Sequence, residues 1–310
     1  MDAIGVNHPG QGRAGQPRVV LFGMRCTFTG PVLAALAESH DIDLAAAVLP
    51  GNTPSPRAQP DPVMDTIESR GIRLIEVPSR ADLSLADFRH ALERVSPDAI
   101  VVACFPWRLP AWILALPPRG CLNLHPSLLP DGRGPEPVFW AFRRGLDGTG
   151  VTLHLMNERF DAGPVIAQVR VPIPDGATIT SLEQSLAEIG ADLALDHVRG
   201  TSGFPHATPQ PEGGEYAPFP RADDLIVPTS WDARRAARFI HAAIPVYGAI
   251  PVLVLATGQR LLVEEVSGID GMTPDAPPLS IQRGTARIRF ANGTVTCRIA
   301  HAHHTLRLHP

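Results

Sequence analysis

The sequence predicts an α/β protein with a doubly wound parallel sheet, followed by a smaller domain of short strands. Over the first 200 residues, short apolar runs alternate with amphipathic segments. Strands that alternate with helices of about 10–15 residues are typical of a doubly wound parallel sheet. After a stretch rich in Gly, Pro, Thr and Ser, the pattern changes to one helix and several short apolar runs.

The elements of the first domain are predicted in chain order. Four apolar runs are predicted strands: RVVLFG, IDLAAAVL, IRLIEV and DAIVVACF. Helices are predicted between them, near Thr29–Ser39, Asp61–Arg70 and Leu85–Val95. The loop 50–62 is too rich in proline for regular structure. A last helix over Ser181–Val198 closes the domain, since its apolar residues recur at helical spacing.

A fifth strand, CLNLH (Cys121–His125), carries two polar residues inside an apolar run. Because side chains alternate along a strand, Asn123 and His125 lie on the same face. In an open parallel sheet, ligands bind beyond the carboxyl ends of the strands, where CFPWRLP and the loop after CLNLH both lie. Asn123 and His125 therefore indicate a binding or catalytic site, although a hydrogen-bonded pair in the core is the alternative interpretation.

Composition excludes several classes of function. The chain has no lysine, so all 27 basic residues are arginine, and P-loop, Schiff-base and pyridoxal-phosphate chemistries each require a lysine. The four cysteines show no C-x-x-C spacing and are typical of a reducing compartment. No apolar run reaches the roughly 20 residues of a membrane span. We expect a soluble, cytoplasmic protein with no metal site, even at the histidines near the C-terminus.

A longer pattern follows the fifth strand. It reads Asn-x-His-x-Ser-Leu-Leu-Pro-x-x-Arg-Gly from Asn123, and Asp161-Ala-Gly follows 36 residues after His125. This ordered set resembles the formyltransferases that use 10-formyltetrahydrofolate, closest to those that act on methionyl-tRNA. The resemblance implies a Rossmann-like catalytic domain and an OB-like β-barrel at the C-terminus.

Formyl transfer to an amine needs a donor for the oxyanion, a group that moves protons and a carboxylate that orients that group. The resemblance gives these catalytic roles to Asn123, His125 and Asp161. It also implies that Arg133 and Gly134 contact the substrate. The residues that it implies for binding the folate are Cys104, Phe105, Trp107, Leu109, Ser127, Leu128, Leu129 and Pro130.

Four regions are expected: a disordered tail (1–17), the catalytic domain (18–200), a linker (201–224) and the OB-like domain (225–310). The last region, which opens with a helix whose predicted N-cap is Ser230, holds nine arginines against five acidic residues. An arginine cluster on that helix, Arg234, Arg235 and Arg238, could contact the backbone of an initiator tRNA. A solvated face is the alternative.

The acceptor is left open by the sequence. The Pro-rich loop carries one arginine, and Asp131 lies close to the predicted site. Extra negative charge suits a small cationic amine or an amino sugar better than RNA. A formyltetrahydrofolate hydrolase, in which water replaces the amine, is the third alternative.

Overall fold

A computed structural model describes residues 15–51, 61–200, 206–272 and 275–300. Most of the predicted tail, most of the Pro-rich loop, the start of the linker and the His-rich C-terminus lie outside the described residues. The chain forms two compact units. The first comprises the described residues up to Gly134 with Gly150–Val171 and Glu183–Tyr216, and the second comprises Pro135–Thr149, Pro172–Leu182 and the described residues from Ala217. The expected domain boundaries stay a prediction.

The strands before residue 200 form one seven-stranded sheet. Its order is β3-β2-β1-β4-β5-β6-β7. The pairs from β3 to β5 are parallel, and β6 is antiparallel to β5. This confirms the predicted α/β class and the parallel sheet. The strands are β1 (Arg18–Gly23), β2 (Asp43–Pro50), β3 (Leu74–Val77), β4 (Ala99–Ala103), β5 (Cys121–His125), β6 (Gly148–Leu155) and β7 (Val165–Pro172).

Helices connect these strands, and the four predicted from the sequence are all present. The chain before residue 200 forms α1 (Thr29–Glu38), α2 (Pro62–Arg70), α3 (Ala86–Val95), α4 (Ala111–Leu114), α5 (Pro137–Arg144) and α6 (Ile179–Arg199). None of the helices in the described ranges is long and apolar enough to cross a membrane.

The chain changes direction across the sheet between β1 and β4. The two strands pair in parallel with Gly23 opposite Ala103, and every residue of β4 is buried. Strands β1, β4 and β5 therefore all leave the sheet at the same edge. In doubly wound sheets this edge is where ligands bind, and here it holds the loops after Ala103 and His125.

The predicted short strands near the C-terminus form a second sheet. Six strands lie in the order β11-β12-β13-β10-β9-β8. Among the described strands, β11 and β8 are left as open edges, so a closed OB-like barrel is not confirmed. The elements are β8 (Val227–Pro228), α7 (Ala233–Tyr247), β9 (Ile250–Val254), β10 (Gln259–Gly271), β11 (Leu279–Gln282), β12 (Thr285–Arg289) and β13 (Gly293–Ile299).

Helix α7 begins later than Ser230. Its N-cap is Asp232, whose carboxylate accepts hydrogen bonds from the backbone N–H groups of Arg234 and Arg235. These bonds, with the one from Arg235 largest, lower the pKa of Asp232 below its usual value. The predicted N-cap, Ser230, is therefore wrong by two residues, because Asp232 supplies the side-chain acceptor for the N–H groups at the helix start.

Two of the three arginines predicted to contact RNA are engaged inside the second unit. Arg235 donates to the carbonyl of Arg143 at 2.8 Å, and its guanidinium lies 3.9 Å from the centre of the Trp231 ring. Arg238 donates to the carbonyl of Ile173 at 2.8 Å. Arg234 is exposed, whereas Arg235 and Arg238 are half-buried.

A substitution at Gly150 in β6 tests the packing of the first unit. A Cβ there would lie 2.3 Å from the Val169 carbonyl oxygen and 2.4 Å from a methyl of Leu128. We expect Gly150→Ala to lower the free energy of unfolding by about 1–3 kcal/mol, measured by guanidinium denaturation. The matched control is Gly30→Ala in α1, where the nearest atom is 3.8 Å away and a small gain is expected. Equal stability of the two variants would contradict the packing described.

Candidate active site

Strand β5 brings two polar side chains into the interior of the first unit. Asn123 is 9% exposed and His125 is 5% exposed. Asn123 lies beside Val102 of β4 on one side and directly opposite His154 of β6 on the other. The shared face predicted from period 2 thus points to a third polar side chain that the sequence analysis did not identify.

His154 is hydrogen-bonded through both ring nitrogens. Nδ1 lies 2.9 Å from the Leu155 carbonyl oxygen, and Nε2 lies 3.0 Å from Nδ2 of Asn123. A carbonyl oxygen only accepts, so Nδ1 carries the proton and Nε2 accepts from the Asn123 amide. Burial lowers the pKa of His154 to about 4, although the Leu155 bond and Asp161 act in the opposite direction. The ring is therefore neutral at pH 7.

Asp161 approaches the two strand residues from the loop after β6. Its backbone has a φ of +51°, a left-handed conformation. One carboxylate oxygen, Oδ2, accepts from the backbone N–H of Gly134 at 2.9 Å. The other, Oδ1, lies 3.4 Å from Nδ2 of Asn123. Gln210 holds the loop in place by donating to the carbonyl oxygens of Asp161 and Gly163 at 2.8 Å and 2.7 Å.

His125 turns one nitrogen to the backbone and the other to Asp161. Nε2 lies 2.7 Å from the Gly132 carbonyl oxygen, so Nε2 carries a proton. Nδ1 lies 3.6 Å from Oδ1 of Asp161, slightly beyond hydrogen-bond distance. In the neutral ring Nδ1 is therefore the basic nitrogen, and when it gains a proton it faces a carboxylate.

A cleft opens beside these groups at the carboxyl edge of the sheet. Asn123, His154 and Asp161 form its polar inner end. Phe105 and Trp107 pack edge to face at 5.5 Å between ring centres. Arg108, Asn157, Arg159 and Phe160, all exposed, also line the cleft, so polar groups lie on its open side as well as at its buried end. The apolar walls are Val102, Phe105, Trp107, Leu109 and Met156.

Phe105, Trp107 and Leu109 thus line the cleft as the sequence analysis predicts, whereas Ser127, Leu128, Leu129 and Pro130 do not. Cys104, which precedes Phe105 in the chain, is exposed and has a φ of +62°. The Ser127 hydroxyl donates to the Asp131 carbonyl at 2.7 Å. Leu128 covers Gly150, and the Leu129–Pro130 peptide bond is cis. Binding of the folate by any of these residues stays a prediction.

The two residues predicted to contact substrate have partners within the unit. The Arg133 guanidinium donates to Oε1 of Gln210 at 2.7 Å and to the carbonyls of Pro211 and Gly213. Gly134 contributes the N–H that binds Asp161. Arg133 therefore braces the segment that includes Gln210, and a contact of either residue with substrate stays a prediction. No group of three or more metal-ligating side chains occurs within the described ranges.

The low pKa of His154 predicts a pH-dependent stability. The unfolded chain binds a proton near the ordinary pKa of 6.5, while the folded protein binds it near 4. The contribution of His154 to the free energy of unfolding is therefore fully present above about pH 6.5 and is lost as the pH drops from there to 4. We expect a loss on the order of 3 kcal/mol from this group.

The variant His154→Gln removes the titration but keeps an acceptor for Asn123. Its unfolding free energy should lose this part of the pH slope in denaturant titrations between pH 7 and pH 4. His90→Gln changes an exposed histidine in α3 and should keep the wild-type slope. An unchanged slope in His154→Gln would contradict the assignment.

Comparisons with known proteins agree on one family. A model of the formyl transferase family matches residues 27–198. Methionyl-tRNA formyltransferase of Syntrophus aciditrophicus is 33% identical over 263 residues, which cover 83% of this chain and 82% of the relative. The enzyme of the same name from Bordetella petrii is 32% identical, covering 86% of this chain and 85% of the relative.

A solved structure shares the fold. HypX from Aquifex aeolicus in complex with tetrahydrofolic acid superposes with a TM-score of 0.54 and 19% identity. The similarity covers 90% of this chain and 43% of that protein.

Proposed function

This chain belongs to the formyltransferase family, and on that premise we propose that it transfers the formyl group of 10-formyltetrahydrofolate to the amine of methionyl-tRNA. The observation that carries the proposal is the convergence of three side chains: Asn123 and Asp161 line the cleft, and Nδ1 of His125 lies 3.6 Å from Oδ1 of Asp161. Relatives named methionyl-tRNA formyltransferase that match more than four fifths of the chain support this acceptor.

The cleft suits the donor's chemistry. The pterin of a folate is a flat ring system with polar edges, and Phe105, Trp107 and Leu109 supply walls for its faces. When bound, 10-formyltetrahydrofolate supplies a one-carbon unit at the oxidation level of formate. We assign the carbonyl end of that unit to the polar inner end of the cleft, beside Asn123 and Asp161.

Asn123 stabilises the oxyanion that forms as the amine attacks the formyl carbon. Its Nδ2 has two hydrogens, and the 3.0 Å contact with His154 holds one of them. The second hydrogen is directed to Asp161 over a long 3.4 Å contact, which is weak enough to yield to a charged oxygen. His154 is a positioning residue, because its accepting Nε2 fixes the amide with N–H directed to the cleft.

His125 and Asp161 move the proton. The attacking amine must lose a proton, and the folate nitrogen must gain one when the carbon–nitrogen bond to the donor breaks. Nδ1 of His125 is the free basic atom, since Gly132 holds Nε2. Asp161 lies 3.6 Å from Nδ1 and stabilises the imidazolium while it holds that proton. The carboxylate is itself fixed by the Gly134 N–H.

Two variants test these roles in the full-length protein. Asn123→Ala should lower kcat about 100- to 1000-fold through loss of the oxyanion donor, with a smaller change in the KM for the formyl donor. Asp161→Asn should lower kcat by a similar factor because an amide cannot stabilise the imidazolium.

The matched control for charge is Asp131→Asn. This carboxylate accepts from the Glu215 N–H and does not line the cleft, so donor kinetics should be unchanged. Activity retained in Asp161→Asn would contradict the proton-transfer role. If activity is lost, circular dichroism should show that the variant is still folded.

We propose that residues 225–310, expected as an OB-like domain, help to bind the tRNA. A small-molecule amine is the second candidate acceptor, and one observation favours it. Arg235 and Arg238 donate to backbone carbonyls, and Arg238 also pairs with Asp147 at 3.4 Å, which leaves fewer free donors on α7 for RNA phosphates than the sequence alone implies. Arg234 is the exposed arginine that an RNA backbone could reach on this helix.

Formyl transfer to charged initiator tRNA, followed as release of tetrahydrofolate, decides between these acceptors. If the tRNA is the acceptor, release depends on it, and a fourfold rise in salt raises its KM roughly tenfold for every two phosphates contacted. Release without any acceptor would indicate a hydrolase. Release only with small amines would establish the second candidate.

A further inference from the structure

All four cysteines lie in described residues, and they fall into two classes. Cys121 and Cys297 are buried, and burial raises the pKa of each thiol to about 12. Neither is a thiolate at neutral pH. Cys26 is half-buried and Cys104 is exposed, so this second pair is accessible to small reagents.

The topology of the sheet brings Cys26 and Cys104 together. Cys26 follows β1 and Cys104 follows β4, and the last residues of these strands, Gly23 and Ala103, pair in parallel. Thr29 fixes the two loops to each other. Its hydroxyl donates to the Ala103 carbonyl at 2.8 Å and lies 3.4 Å from the sulfur of Cys26.

The two thiols are in direct contact. The Cys104 side chain is hydrogen-bonded to Cys26, and this bond is the largest cause that lowers the pKa of Cys26 to about 7. Burial opposes the shift, and bonds with Thr29 reinforce it. Cys26 is thus the better nucleophile at neutral pH, and Cys104 is placed to attack its sulfur in turn.

We propose that Cys26 and Cys104 form a reversible disulfide at the edge of the cleft, and that closing it weakens binding of the formyl donor. The second half of this proposal rests on the proposed function. Hydrogen peroxide serves as the oxidant. The Cys26 sulfur attacks the O–O bond, keeps one oxygen as sulfenic acid and releases the other as water. The Cys104 sulfur then attacks the Cys26 sulfur, and the oxygen of the sulfenic acid leaves as water.

The effect on the donor follows from the position of Cys104. A disulfide brings the sulfurs to about 2.05 Å, closer than a hydrogen bond between thiols, so residue 104 is pulled toward the β1 loop. Phe105 comes next in the chain, packs at 5.2 Å between ring centres on Phe22, and forms part of the cleft wall. Displacing this ring changes the surface that the donor contacts.

The disulfide itself is tested without any activity assay. The reduced full-length protein is treated with a small excess of hydrogen peroxide, digested without reduction and analysed by mass spectrometry. We expect one linked peptide pair containing residues 26 and 104, lighter by two hydrogens than the separate peptides and reversed by dithiothreitol. Cys121 and Cys297 should remain free thiols. Oxidation of either residue 26 or 104 to sulfinic acid without a linked peptide would overturn the pairing.

The effect of the disulfide on binding of the formyl donor is tested by kinetics of the oxidised and reduced protein. The KM for the formyl donor should rise roughly tenfold on oxidation, the change expected from loss of one ordinary contact. Cys26→Ser should match the reduced wild type and should not respond to peroxide; Cys26→Ala serves if the serine variant does not fold. A linked pair with an unchanged KM would overturn the effect on the donor. Absence of formyl transfer in both states would overturn the proposed function, while the mapped peptide still decides the pairing.

Discussion

The hydrogen bond between Asn123 and His154 is the interaction on which the candidate site depends. Both side chains lie inside a sheet whose neighbouring strands are apolar, and a buried polar group without a partner costs about 1–3 kcal/mol. The bond is formed only if His154 is neutral and accepts at Nε2, which requires Nδ1 to donate to Leu155. A single backbone carbonyl therefore sets the tautomer of the histidine, the orientation of the amide and the direction of its second N–H.

The same reasoning extends to His125 and Asp161. Gly132 holds Nε2 of His125, and Gly134 holds Oδ2 of Asp161. Both groups belong to one short segment that follows the strand, so the DGRG sequence orients two site residues through its backbone alone. In this structure the Arg133 side chain contributes through its bonds to the segment that carries Gln210, whose amide in turn holds the Asp161 loop.

Much of the fold was accessible from the sequence, and the limits of that prediction have physical causes. The parallel strands were evident because buried strands form continuous apolar runs, and period 2 placed Asn123 and His125 on one face. Asp161 came from the family resemblance, since its loop has no periodicity. His154 was missed because its partner lies across an antiparallel pairing of β5 with β6, which local pattern does not reveal. The predicted closed barrel was not confirmed, because short alternating strands specify a sheet but not its closure.

The number of arginines in the sequence overstates the number of guanidinium groups that are free to contact phosphates. A guanidinium has five donors in a planar fork, whereas an ammonium group is a compact point charge. In this chain several guanidiniums bond backbone carbonyls: Arg133 those of Pro211 and Gly213, Arg235 that of Arg143, and Arg238 that of Ile173. Arg143 and Arg235 also lie 4.3 Å and 3.9 Å from the centre of the Trp231 ring. Such positions favour arginine for its geometry, and they occupy part of its donors within the fold. For an acceptor with many phosphates, the exposure of each arginine is therefore a better guide than net charge to the side chains that can reach it.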